Sequence, residues 1–233
     1  MARALLSWWE TNGRRDPAQK PWMFTPAGRW PTAAEDLDPY GIWIAEVMLQ
    51  QTQLTVALPY WRRWMQVFPS AEALAASSLD QVRLQWQGLG YYSRARRLHE
   101  AALMLMWQSW PRTVEGWMAL PGIGRTTAGG ILSSAFNAPV AILDGNVKGL
   151  LARLHAHPRP PARDQALFWG WSEALLDPER PRDLNQALMD LGATVCTPRQ
   201  PHCSRCPWST FCAAYAAGVP IRWPVSDARK SLP

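Results

Sequence analysis

Four cysteines, Cys196, Cys203, Cys206 and Cys212, stand as C-x6-C-x2-C-x5-C within 17 residues, and the chain has no others. Thiols this close in sequence converge on one centre at little loop-closure cost. The segment is therefore expected to fold as a short loop wrapped around a bound group. Soft sulfur ligands select zinc or an iron–sulfur cluster. Tetrathiolate zinc sites usually show two C-x2-C-like knuckles, and this stretch has only one. A four-cysteine iron–sulfur cluster fits the spacing better, with zinc or simple buried thiols as the alternatives. Arg199, His202 and Arg205 lie between the cysteines, either as a phosphate-contact surface or as ordinary solvated charges.

The rest of the composition narrows the class. A hydrophobic content of 48% with 15 tryptophans excludes a disordered chain. The longest charge-free stretch, Thr126 to Leu143, contains Gly129, Gly130, Ser133, Ser134, Asn137 and Pro139 and is too polar for a membrane span. The N-terminal apolar run is too short for a signal peptide. The expectation is a cytoplasmic protein with no membrane partner, in a reducing compartment where cysteines are ligands rather than disulfides. Basic residues outnumber acidic ones by 24 to 18, and only Lys20, Lys148 and Lys230 are lysines. An arginine-biased net charge of +6 hints at phosphate as a partner.

Apolar spacing of helical period dominates the chain. It predicts helices over Arg3–Thr11, Tyr40–Ala57, Tyr60–Phe68, Ala71–Ala76, Leu79–Trp86, Ser93–Trp110, Thr113–Ala119, Thr126–Phe136, Gly145–His155, Gln165–Leu176 and Leu184–Ala193. Strand-like alternation is nearly absent, so the fold class is all-α. Gly13 to Pro39 holds five prolines and no sustained period, which makes it a long irregular loop of the kind that often carries function. Beyond Phe211 the chain is expected to fade into a polar tail.

One segment has the form of a phosphate grip. In Leu120-Pro121-Gly122-Ile123-Gly124-Arg125-Thr126-Thr127-Ala128, two glycines flank one apolar residue just before a helix. Such a turn leaves its amides unblocked, and the helix start offers free N–H groups to a phosphate without reading sequence. As a bare pattern it is also an ordinary connection between helices. The block resembles the helix–hairpin–helix of the endonuclease III and MutY DNA glycosylase superfamily. Ile142-Leu143-Asp144-Gly145-Asn146-Val147-Lys148 resembles the Asp-bearing segment of that superfamily, and the cysteine spacing resembles its iron–sulfur loop. Ala45-Glu46-Val47-Met48-Leu49-Gln50-Gln51-Thr52-Gln53, the segment Gly88–Arg96 and the segment Asn185–Ala193 are similar to the MutY adenine-glycosylase branch.

That resemblance implies a two-lobed architecture. A helical-barrel domain would span 32–137, an iron–sulfur domain 1–31 plus 138–217, and a polar tail 218–233. It implies a [4Fe–4S] cluster on the four cysteines. The partner would be double-stranded DNA with a mismatched or damaged base pair, acted on by a monomer associated with the nucleoid. Breaking an N-glycosidic bond needs a proton for the leaving base and negative charge near the sugar cation. Glu46, among Ile42, Trp43, Met48 and Leu49, suits the proton donor that the resemblance implies, although taken alone it reads as an exposed helical carboxylate. Asp144 opens a helix, where amides and the dipole favour the ionised form, although taken alone it reads first as a helix N-cap. The position matching the attacking lysine of bifunctional relatives is Thr126, beside Arg125, which stays protonated. Hydrolysis by water without a Schiff base is therefore expected. A target base must leave the duplex, and the resemblance assigns wedging and intercalation to Gln50, Gln51 and Tyr91. It assigns further DNA contacts to Gly122, Gly124, Arg125 and Asn146. Tyr91 and Tyr92 are alternatively core aromatics. Arg83, Arg94, Arg96 and Arg97, with no acid between Gln81 and His99, form the most DNA-like patch.

Three departures bear on the substrate. The chain ends 21 residues after Cys212, so the C-terminal domain that helps the branch recognise 8-oxoguanine is expected to be lacking. The segment before Pro21-Trp22 is expanded, and Gly149 follows Lys148 where relatives usually carry arginine. Adenine excision opposite G or 8-oxoguanine is the first expectation. Mismatch thymine or uracil excision is the second, and a non-catalytic DNA-binding iron–sulfur protein the third.

Overall fold

The computed structural model describes residues 1–225, and every regular element among them is a helix. Residues 226–233, which hold Lys230 and the second half of the expected tail 218–233, lie outside the described residues. The chain forms two compact units, one joining Met1–Arg14 to the chain from Pro139 onward, the other running from Arg15 to Ala138. No helix among the described residues is long and apolar enough to cross a membrane.

The first unit opens with α1 (Ala2–Asn12) and resumes only after the second is complete. The second unit holds α2 (Pro39–Leu49), α3 (Leu54–Val67), α4 (Ala71–Ala75), α5 (Leu79–Trp86), α6 (Ser93–Leu105), α7 (Val114–Met118) and α8 (Arg125–Phe136). Several starts follow from side-chain caps. Asp38 accepts from the Tyr40 amide, and Ser78 with Gln81 forms a capping box. Nine of the eleven residues of α2 are buried, as expected of a helix that is apolar all round. The tryptophans explain themselves here. Trp43, Trp64, Trp86 and Trp117 are fully buried and meet edge-on or tilted, with Trp64 and Trp86 centroids 5.7 Å apart at 82°, the arrangement ring quadrupoles favour.

Three expectations are corrected in this unit. The helix expected over Tyr40–Ala57 stops at Leu49, because Gln51 adopts φ 59 and the last carbonyls turn to Arg94 rather than onward along the helix. The next helix accordingly begins at Leu54, earlier than Tyr60, and carries Pro59 within it. The helix from Ser93 ends at Leu105, and the turns after it run into Trp110-Pro111, a pair that disfavours helix. Finally, residues 15–31 belong to this unit and not with the cysteine loop. Trp22 and Met23 are buried, the Trp22 ring lies 5.3 Å from Trp61, and Arg62 donates to the Ala18 carbonyl at 2.7 Å. The proline-rich stretch is thus pinned by its own aromatics.

The first unit holds α9 (Gly145–Leu154), α10 (Gln165–Leu175), α11 (Pro181–Thr194) and α12 (Ala213–Ala216), with α11 packed on both α1 and α9. α11 starts at Pro181, not Leu184, since proline suits a first helical turn that needs no N–H. Its Asp190 is fully buried and accepts from the Trp9 indole at 2.9 Å, the Arg14 amide at 2.9 Å and Arg14 Nε at 2.6 Å. Asp190→Ala strands that cation and indole, and is expected to cost about 3–5 kcal/mol in urea denaturation. The region past Phe211 is not a plain tail. It forms α12 and a 3-10 turn at Pro220–Arg222, and the carbonyls of Pro220 and Trp223 accept from Arg153 Nε.

Candidate active site and cysteine loop

The hairpin runs from α7 through Leu120–Gly124 into α8. Gly122 takes φ 84, a left-handed turn that glycine adopts without penalty, and a Cβ there would press on the Arg97 side chain at 3.0 Å. Ile123 is buried and anchors the turn, while Gly124 caps α8 without a side chain and faces open space. The twelve-residue helix therefore starts without a side-chain cap, with Arg125 exposed on its first turn. Thr126 is half-buried on the first turn, and Thr127 accepts from the Gln50 side chain at 3.2 Å. Gln50, Gly122, Arg94 and Arg97 line one small cavity with Val47 and Pro121.

Gln51 and Tyr91 are exposed at the ends of two turns, and both adopt left-handed φ, 59 and 48. Such conformations cost about 1–3 kcal/mol in a non-glycine residue and gather at functional sites. Tyr91 is 62% exposed and Tyr92 50%, so neither is a core aromatic. The arginine patch is smaller than expected. Arg94 is buried, Arg83 pairs with Asp80 at 3.4 Å, and Arg96 pairs with Glu100 at 3.8 Å, the acids just outside the acid-free run. Arg97 is exposed and has no ion pair among the described residues.

Glu46 and Asp144 lie in different units. Glu46 is half-buried on α2 with its carboxyl against α8, where a Cβ on Gly130 would meet Oε2 at 2.7 Å. Gly130 thus clears the space the carboxyl occupies. Asp144 is the N-cap of α9, its Oδ1 accepting from the Val147 amide at 2.8 Å and its Oδ2 from Asn146 Nδ2 at 3.3 Å. Burial nevertheless pushes its carboxyl above the usual range, outweighing those bonds and nearby Lys148. The sequence-based expectation that amides and dipole would dominate is corrected in that direction. Asn146 is itself pressed on α11, since a Cβ on Gly192 would meet the Asn146 Cβ at 2.7 Å. Its amide serves Asp144 within this unit.

All four cysteines, with Arg153 and Tyr215, line one small cavity. No three His, Cys, Asp or Glu side chains among the described residues converge to hold a single metal ion. Four thiolates can each bind one iron of a polynuclear cluster. Burial raises the Cys206 thiol to about 11, so binding must displace protons. Sequence reasoning missed the residue that organises the loop. Arg153 is 2% exposed. It donates to the carbonyls of Cys196 at 2.7 Å, Thr197 at 2.9 Å and Pro198 at 2.8 Å, and touches Cys196 Sγ at 3.4 Å. The available signal was an arginine three residues after Leu150 on the apolar side of α9. Arg199, His202 and Arg205 are exposed on the loop.

Residues 44–171, more than half the chain, match the family described as HhH-GPD superfamily base excision DNA repair protein. The chain belongs to the HhH-GPD superfamily. Residues 196–212 of this HhH-GPD protein match the iron–sulfur binding domain of endonuclease III, so the cavity is an iron–sulfur site, and the four cysteines that line it fit [4Fe–4S]. Among relatives, the adenine DNA glycosylase of Mus musculus is 43% identical over 217 residues, covering 91% of this chain and 41% of that protein. The adenine DNA glycosylase of Homo sapiens is 43% identical over 222 residues, covering 91% and 38%. The chain thus spans about two fifths of the length of these curated relatives. A solved thermostable thymine-DNA glycosylase superposes with a TM-score of 0.78 at 26% identity, covering 93% of this chain and 95% of that one.

Proposed function

We propose that this HhH-GPD protein is a monofunctional DNA glycosylase that flips a mispaired adenine, opposite G or 8-oxoguanine, out of duplex DNA and hydrolyses its N-glycosidic bond. What carries the reading is Asp144: a carboxylate held by a helix-capping bond and an asparagine in surroundings that oppose its charge. A desolvated carboxylate has little water to lose and stabilises a nearby sugar cation strongly. Glu46 supplies the proton to the departing base as the C–N bond breaks. Water adds to the anomeric carbon, and its spare proton returns to a carboxylate. The amides at Gly122, Gly124 and Arg125 hold backbone phosphate. Gln50, Gln51 and Tyr91 enter the gap left by the base. The cluster, when bound, cross-links the cysteine loop and takes no part in these steps. The protein acts as a monomer in the compartment that holds the DNA, in two domains whose boundary follows the observed units.

The adenine reading is favoured by 43% identity to adenine DNA glycosylases. The second reading, thymine or uracil excision, is favoured by the likeness to a thymine-DNA glycosylase at 26% identity. A single-turnover assay on duplexes bearing A, T or U opposite G or 8-oxoguanine separates them. Adenine release is expected, and release of thymine or uracil alone overturns the proposal. With Thr126 at the position of the attacking lysine, borohydride trapping is expected to give no covalent protein–DNA adduct. A strong adduct would show an amine nucleophile at work.

A further inference from the structure

Arg94 occupies the first turn of α6 and is 6% exposed, yet among the described residues no carboxylate pairs with it. Its Nη1 donates to the carbonyls of Val47 at 3.0 Å, Met48 at 3.0 Å and Gln50 at 2.6 Å. Its Nη2 donates to the carbonyls of Leu89 at 3.2 Å and Gly90 at 3.4 Å, and to the Thr52 hydroxyl at 3.4 Å. The first set contains the last carbonyls of α2, which a helix end otherwise leaves orphaned. Leu89 and Gly90 of the second set belong to the turn between α5 and α6, and Thr52 to the turn after α2. The guanidinium carbon lies over the Trp86 ring at 5.1 Å and over the Tyr91 ring at 5.4 Å. One planar fork thus spans two turns about forty residues apart in sequence, a geometry that an ammonium cannot copy.

The arrangement is costly. Arg94 Nε is buried with no partner among the described residues, and each such group is worth about 1–3 kcal/mol of lost solvation. A buried cation without a counter-ion is a poor choice for stability alone, since an apolar side chain of similar size often does as well. What the fork does secure is position. The two turns it ties end in Gln51 and Tyr91, the exposed non-glycine residues in left-handed conformation.

We infer that Arg94 is a positioning residue that fastens the Gln50–Thr52 turn to the Leu89–Tyr91 turn, so that Gln51 and Tyr91 meet the duplex as one rigid wedge. This rests on the reading that those two residues act on DNA. Arg94 touches neither the base nor the phosphates. It keeps both tips in register and holds the C-terminal end of the helix that carries Glu46, so base extrusion, rather than the phosphate grip of the hairpin, depends on it.

The test uses the full chain with its cluster and a duplex carrying 2-aminopurine beside the mispaired adenine. The fluorescence rise at saturating protein reports extrusion, and affinity for an undamaged duplex reports the phosphate grip. Arg94→Met is expected to remove most of the rise and to slow single-turnover base release about tenfold or more, with undamaged-duplex affinity kept within about twofold. Arg94→Lys, which keeps the charge but not the fork, is expected to lie nearer Arg94→Met than the parent, and it decides the matter if the methionine variant does not fold. A parental rise in the lysine variant overturns the inference, as does a loss of undamaged-duplex affinity equal to the loss of rate. Gln51→Ala and Tyr91→Ala separate the two levels. If both leave the rise and the rate unchanged, the wedge reading falls and this inference with it. If both lower the rise while Arg94→Lys does not, only the role of Arg94 falls.

Discussion

Asp144→Asn is expected to lower the single-turnover rate of base release by at least about 10²-fold while leaving the protein as stable as the parent or more so. Asparagine is as good an N-cap as aspartate, so the bond to the Val147 amide and the start of α9 survive. What the substitution removes is a charge that its surroundings oppose. Burial holds the Asp144 carboxyl above its ordinary pKa, so the folded state binds the proton more tightly than the unfolded state. The stability this group contributes is full below the unfolded pKa and is lost as pH rises through the folded pKa. At neutral pH the ionised side chain is therefore a standing cost that asparagine relieves. Melting curves from mildly acidic to neutral pH should show the variant gaining on the parent as pH rises. Parental activity in this variant would sink the catalytic assignment. A gap in the opposite sense would show that the capping bonds, not burial, dominate.

The second large effect concerns Arg153. Arg153→Met removes the donor from the carbonyls of Cys196, Thr197, Pro198, Pro220 and Trp223 together. Each buried oxygen left without a partner costs about 1–3 kcal/mol, and both flanks of the cysteine loop are released at once. Because holding a metal group and folding its loop are one equilibrium, the variant is expected to purify with little iron, or to lose it on mild heating. Iron per chain and the visible absorption of the cluster check this. A variant with full iron and the parent's melting temperature would show that the cysteines alone organise the loop.

Both residues show how far the chain could be read before it was folded. The hairpin glycines, the cysteine spacing and the Asp144 cap were legible because each is settled over a few residues: a turn needs a left-handed φ, a loop must close, an N-cap meets an amide three residues on. Most helix spans were legible for the same reason, through apolar period. The exceptions are instructive. Leu49 ends α2 although the period continues, because Arg94, about forty-five residues downstream, takes its carbonyls. Arg94 itself looked like part of a solvent-facing basic run, though it lines up with Leu98, Ala101 and Leu105 on the buried side of α6. Residues 15–31 were placed with the wrong unit because proline spacing carries no period. Only packing against Trp61 and Arg62 assigns them.

The amino-acid pattern was enough for the all-helical class, the iron–sulfur segment and the hairpin, since these obey local geometry and ligand chemistry. Folding alone sorted the arginines: Arg94 and Arg153 into buried ties, Arg83 and Arg96 into ion pairs, Arg97 into an exposed cation beside Gly122. It also set the sign at Asp144, where desolvation by burial outweighs the amides next to it. Burial is a sum over neighbours brought in by tertiary contacts, and no short stretch of sequence contains that sum.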